Sequence, residues 1–177
     1  MATGLFPSLL GSAFERLVPA IRAVHGGASC HLRGTATVTR GASLIANMLC
    51  AITFVPASVA LAELEVTISA DTGGETWVRH YGRSRPMRSR LVALGGILIE
   101  RIGPAALLFQ VDEIDGCMKW RLVRASAFGI SLPRSWIDVT ADIGTQNGRY
   151  SFIVNATLRR VGCVVRYHVE LDVVPAA

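Results

Sequence analysis

From Glu63 to the end of the chain, apolar and polar residues alternate with a period of two, broken at short intervals by glycine-bearing turns, and this constrains the fold more than any other feature. Leu64, Val66, Ile68 and Ala70 alternate with Glu65, Thr67 and Ser69 before Asp71-Thr72-Gly73-Gly74 supplies a turn into 75–82. Further strand-like runs cover 87–94, 97–102, 107–113, 118–124, 137–143, 150–159 and 163–173. Gly95-Gly96, Asp115-Gly116, Asn147-Gly148 and Gly162 mark tight reversals between them. With an earlier strand over 30–39 this makes about ten strands, and connections this short force antiparallel neighbours. A sheet of that many antiparallel strands curls to hide its edges.

The rest of the chain is helical in pattern. Leu10, Phe14, Leu17, Ile21 and Val24 give 5–25 a three-to-four spacing with one apolar stripe, and Pro19 within it predicts two short helices or one kinked helix ending at Gly26-Gly27. The stretch 43–62 is the most hydrophobic, but Pro56 interrupts it. A helix over 43–53 followed by an irregular segment is expected, packed inward or acting as an apolar lid or docking patch.

The chain has 177 residues, 51% of them hydrophobic and 18% charged, which suits one folded unit with a substantial core. The expectation is a single α+β domain over 1–177: a helical opening (1–27), a strand and apolar helix (28–62), then antiparallel strands (63–174). Its architecture is a large curved antiparallel sheet or β-barrel, a lipocalin-like cup with N-terminal helices.

Lys and Arg number 18 against 13 Asp and Glu, giving a net charge of +5, and only Lys119 is a lysine. The arginines are spread along the chain, densest at Arg79, Arg83, Arg85, Arg88 and Arg90, without a nucleic-acid motif, so no nucleic-acid partner is expected. Cys30, Cys50, Cys117 and Cys163 are widely spaced with no CxxC pair, and no secretory signal is read at the N-terminus, which together predict a cytoplasmic protein. Neither a metal site nor a cofactor is expected. His25, Cys30 and His31 are the nearest approach to a metal set, and in a strand the last two point to opposite faces. Nucleophile elbows, Walker loops and dinucleotide fingerprints are absent from the sequence.

Candidate site residues follow from alternation. In 75–82 it places Trp77, Arg79 and Tyr81 on one face, which the aromatics mark as interior, so Arg79 needs a carboxylate, a carbonyl cluster or an anionic ligand. Glu100 is the candidate partner, although 97–102 is apolar on both faces and either Glu100 or Arg101 must be accommodated inside. A carboxylate in an apolar cavity can work as general acid or base, which makes Glu100 with Arg79 a minimal catalytic pair and, equally, a plain buried ion pair. Trp120, Tyr150 and Tyr167 extend an apolar lining, with Tyr81 and Arg88 as further candidate ligand contacts. His25 reads either as a cation capping its helix or as a proton shuttle at a cavity mouth.

Read together, LFPSLLGSAFERLVPAIRAVHG, RGTATVTRG, GETWVRHYG, RSRL, ERIGPAALLFQV, GISLPRSW and GRYSFIVNATLRRVGCVVRYHVEL resemble, in order and spacing, an uncharacterised bacterial family, the domain of unknown function numbered 4166. The resemblance implies no agreed activity. It singles out His25, Arg33, Arg40, Trp77, Arg79, Arg88, Glu100 and Arg101 as positions to test. Some members join a similar domain to a saccharopine-dehydrogenase-like reductase, which implies small-molecule metabolism and a reductase in the same pathway as a partner. The stretch from Asn47 to Phe54 departs from the resemblance in lacking basic residues, which favours the apolar-lid reading there.

The leading functional expectation is binding of an apolar or partly anionic small molecule in a β-cup. A cofactor-independent isomerase, cyclase or hydratase using Glu100 with Arg79 or His25 is the first alternative. The second is a module docking on a membrane or protein through 43–62, with membrane contact the lesser of the partner expectations.

Overall fold

A computed structural model of the chain describes residues 4–174. It opens with α1 (Leu5–Leu10), a 3-10 turn (Gly11–Arg16) and α2 (Pro19–His25). Pro19 takes the first position of α2, where its missing N–H breaks no helical bond, so the apolar stripe is carried by two short helices. Strand β1 (Cys30–Arg40) leads to α3 (Leu44–Ile52), and then come β2 (Val59–Asp71), β3 (Gly74–Tyr81), β4 (Met87–Leu94), β5 (Ile97–Ile102), β6 (Ala105–Ile114), β7 (Cys117–Ala127), β8 (Ile130–Leu132), β9 (Ile137–Gln146), β10 (Arg149–Leu158) and β11 (Gly162–Val174).

Every strand pair is antiparallel. Strands β1 to β7 pair in sequence, β7 pairs β9, and the ring returns through β10 and β11 to β1, making a closed ten-strand barrel. Strand β8 folds back on the last residues of β7, outside the ring. Closure leaves the ring without an edge, the liability of an open sheet. Gly34 permits one tight passage, since a Cβ there would lie 2.0 Å from the Glu170 carbonyl oxygen of the neighbouring strand.

Because strands alternate in direction, the turns β2–β3, β4–β5, β6–β7 and β9–β10 gather at one end, and the other connections gather opposite. The helices α1 and α2 close the first end: the Val18 N–H donates to the Gly116 carbonyl of the β6–β7 turn at 2.9 Å. An eight-stranded ring is about filled by its own side chains, so a ten-stranded one leaves space. Phe6, Leu17, Ile21, Val24 and His25 from the plug are all buried and fill the closed half. Gly27, at φ +96°, lets the plug double back on itself; a Cβ there would sit 2.6 Å from the Gly4 Cα.

At the open end α3 lies across the barrel rim against β1 and β11. Ser43 caps it, its Oγ accepting from the Ala46 N–H at 3.0 Å. The apolar stretch 43–62 is therefore divided: helix, irregular segment around Pro56, and the first residues of β2, which starts at Val59 rather than at the alternation from Glu63. Residues 59–62 are Val, Ala, Leu and Ala, so no polar residue marks the period there. No helix among the described residues is long and apolar enough to cross a membrane.

Candidate functional site

On β3 the buried face comprises Glu75, Trp77, Arg79 and Tyr81. Arg79 donates from Nη1 to the Ser89 hydroxyl at 3.0 Å and from Nη2 to Glu100 Oε1 at 3.5 Å. Its guanidinium carbon lies 4.9 Å from the Trp77 ring centroid. Burial opposes the Arg79 charge, but the Glu100 carboxylate beside it favours it and the group is held cationic. Strand β5 thus turns Glu100 inward with Leu98 and Ile102 and leaves Arg101 exposed, settling which face of 97–102 lines the barrel.

Above this pair lies a cavity of about 800 Å³ reaching to the open rim. Arg79, Glu100, Trp77, Trp120 and Tyr167 lie along it, and its walls are otherwise mainly aliphatic and aromatic side chains of β6, β7, β9, β10 and β11, with α3 at the mouth. Two buried N–H groups on lining residues, Arg79 Nε and Trp120 Nε1, have no acceptor among the described residues. Burial pushes the Tyr81 hydroxyl up to about 12 and that of Tyr167 higher still, so both remain neutral donors.

Beneath the cavity, His25 projects from the end of α2 between the Phe6 and Trp77 rings, with centroids 4.5 and 5.5 Å away. Its Nε2 is 2.9 Å from the Tyr150 hydroxyl, and complete burial lowers its pKa to about 3. A neutral imidazole cannot cap a helix as a cation, so the capping expectation gives way to a packed, hydrogen-bonded ring. Near the same end Glu75 is buried, accepts from Trp77 Nε1 at 2.8 Å and is raised to about 7 by burial.

Of the residues expected from sequence, Arg79, Glu100, Trp77, Trp120 and Tyr167 come together along the cavity. His25 and Tyr150 form a pair in the plug layer, outside that lining, and Tyr81 is buried on the inner face without reaching it. Arg88 is exposed on the outer face of β4, away from the cavity. Arg33 is also outside, paired with Glu65 at 2.8 Å. Arg40 bonds from Nη2 to the Val55 carbonyl, tying down the segment after α3. Glu75 and Ser89 were not anticipated, though the alternation that set Trp77 and Arg79 on one face puts Glu75 there too. Among the described residues no three His, Cys, Asp or Glu side chains gather closely enough to hold a metal ion.

Fold and site together define an up-and-down β-barrel, plugged at one end by helices and holding an apolar cavity with an ion pair on its inner wall. The chain belongs to the family described as Domain of unknown function (DUF4166), whose model matches residues 17–171. No curated protein and no solved structure matches it.

Proposed function

We propose that the barrel binds a small molecule with a largely apolar body and one oxygen-bearing group. The observation that carries this is a cavity of about 800 Å³ with mainly apolar walls and the Arg79–Glu100 ion pair among its lining residues. Apolar walls favour burial of a hydrocarbon body, and the few polar groups among them, here the guanidinium and carboxylate of the pair, orient a ligand through its hydroxyl or carbonyl.

The test uses 1-anilinonaphthalene-8-sulfonate, an apolar anion. It is expected to bind once per chain and to accept energy from Trp77 and Trp120. The variant Ala156→Trp, which fills the cavity from β10, is expected to abolish that binding with the unfolding transition retained. Equal binding by the parent chain and this variant would sink the proposal. Native mass spectrometry against the denatured mass then identifies any ligand carried through purification.

A second reading rests on Glu100 itself, a carboxylate lying along the cavity beside a guanidinium. Such a pair can shuttle a proton to and from a bound carbonyl compound without a cofactor, as an isomerase, cyclase or hydratase requires. His25 is a poorer assistant, being held outside the cavity lining. Replacing Glu100→Gln is expected to stop turnover of a substrate found by mass spectrometry and leave its binding intact; unchanged turnover removes this reading.

A further inference from the structure

We infer that the open end of the barrel docks on an anionic phospholipid bilayer, mouth to membrane, so that the cavity opens directly onto the lipid. The segments that build this end are 41–58, 82–86, 103–104, 128–136 and 159–161. They contain Arg83, Arg85, Arg134, Arg159 and Arg160 and not one acidic residue. All five side chains are exposed, and only Arg134 has an ion-pair partner among the described residues, Asp138 at 3.0 Å. The closed end is different: Arg16, Arg22, Arg90 and Arg149 are each paired with a carboxylate, on Glu113, Glu15, Asp71 and Asp172. Four of the five mouth arginines, Arg83, Arg85, Arg159 and Arg160, therefore carry charge that no described carboxylate pairs with.

The same end carries the exposed apolar groups. Leu44 is 89% exposed, Phe128 72%, Ile130 69%, Trp136 61% and Met48 57%. Met48, Phe128 and Trp136 also line the cavity, so they form its lip and not a distant patch. Helix α3 buries Ala46 and Cys50 and turns Leu44, Ile45 and Met48 outward, with no charged residue in it. A helix at a protein surface ordinarily turns charge to water; this one presents hydrocarbon. Aromatic and aliphatic groups ringed by arginines match a bilayer interface, where rings sit at the headgroup level and guanidinium groups meet lipid phosphates. Charge complementarity selects an anionic surface, and a cavity whose lip is itself lipophilic then exchanges contents with the bilayer without exposing them to water.

Docking does not require the cavity to hold a ligand, so the two proposals fail separately. The full chain is sedimented with vesicles of equimolar phosphatidylglycerol and phosphatidylcholine, and with vesicles of phosphatidylcholine alone. The expected result is salt-sensitive binding to the anionic vesicles only. A basic residue near such a surface contributes roughly five- to tenfold in partitioning, so Arg159→Glu with Arg160→Glu lowers it at least about tenfold. Of the three tryptophans only Trp136 is exposed, so its emission shifts to shorter wavelength on docking. Phe128→Ser with Trp136→Ser weakens binding as well. Absence from the anionic pellet, equal binding to both vesicles, retention by both double variants or an unmoved Trp136 emission each overturn the inference. All four substituted side chains are exposed, and a thermal melt of each variant separates loss of docking from loss of fold.

Discussion

Two buried side chains near the plugged end, His25 and Glu75, pull stability in opposite directions with pH. His25 falls from an ordinary 6.5 to about 3, so the unfolded chain binds more protons between these values and stability rises with pH across them. Glu75 rises from 4.5 to about 7, so the folded chain binds more protons there and stability falls with pH across that window. Where the windows overlap, between 4.5 and 6.5, the contributions oppose each other. Urea denaturation across this range is expected to show a stability slope that turns more positive in Glu75→Gln and more negative in His25→Gln. Identical slopes in the parent and both variants would contradict this. Arg79 and Glu100 form the other buried charge system. Arg79→Met alone is expected to cost about 3–5 kcal/mol by leaving a carboxylate uncompensated, and Arg79→Met with Glu100→Gln to recover part of that. An additive double-mutant cycle would show that the two are not coupled.

Among the elements, the plug and the rim helix carry different amounts of stability. Phe6 is fully buried, edge-on to His25 and stacked on Trp120 at 5.7 Å. Phe6→Ala is expected to cost about 3–5 kcal/mol and lower the melting temperature by on the order of 10 °C. Ser43→Ala removes only the cap of α3, about 1 kcal/mol, and should speed hydrogen exchange in α3 and leave the barrel strands unchanged. Equal acceleration throughout would mean that α3 unfolds only with the whole barrel. Strand runs and turns were legible in the sequence because alternation survives wherever one face is wet, as in Leu64–Glu65–Val66. It failed at 59–62, where small and aliphatic residues occupy both faces, and at β8, whose three residues are too few to show a period. Glu75 adjoins a turn, where a carboxylate reads as solvated, and only its alternation with Trp77 and Arg79 marks it as inward.

For the molecule as a whole, the number of strands could be read from turn spacing, but the pairing of β7 with both β6 and β9 that closes the ring could not. Closure depends on where each strand ends in space, and the sequence carries no local mark of it. Nor could the cavity be read, because its volume is what remains after ten strands, a plug and a rim helix have been placed. The arrangement predicts where the chain is first cut. Limited trypsin digestion should begin at Arg83, Arg134, Arg159 and Arg160 in the mouth connections, before the ion-paired arginines of the closed end. First cuts at Arg16 or Arg149 would show the plug to be the looser end. In the register of β1 with β11, His31 lies opposite Val174, so the described chain enters and leaves the barrel on its plugged side. A fluorescent protein, an affinity handle or a surface tether joined at either terminus would therefore stand behind the barrel, leaving the opening free to face whatever is presented to it.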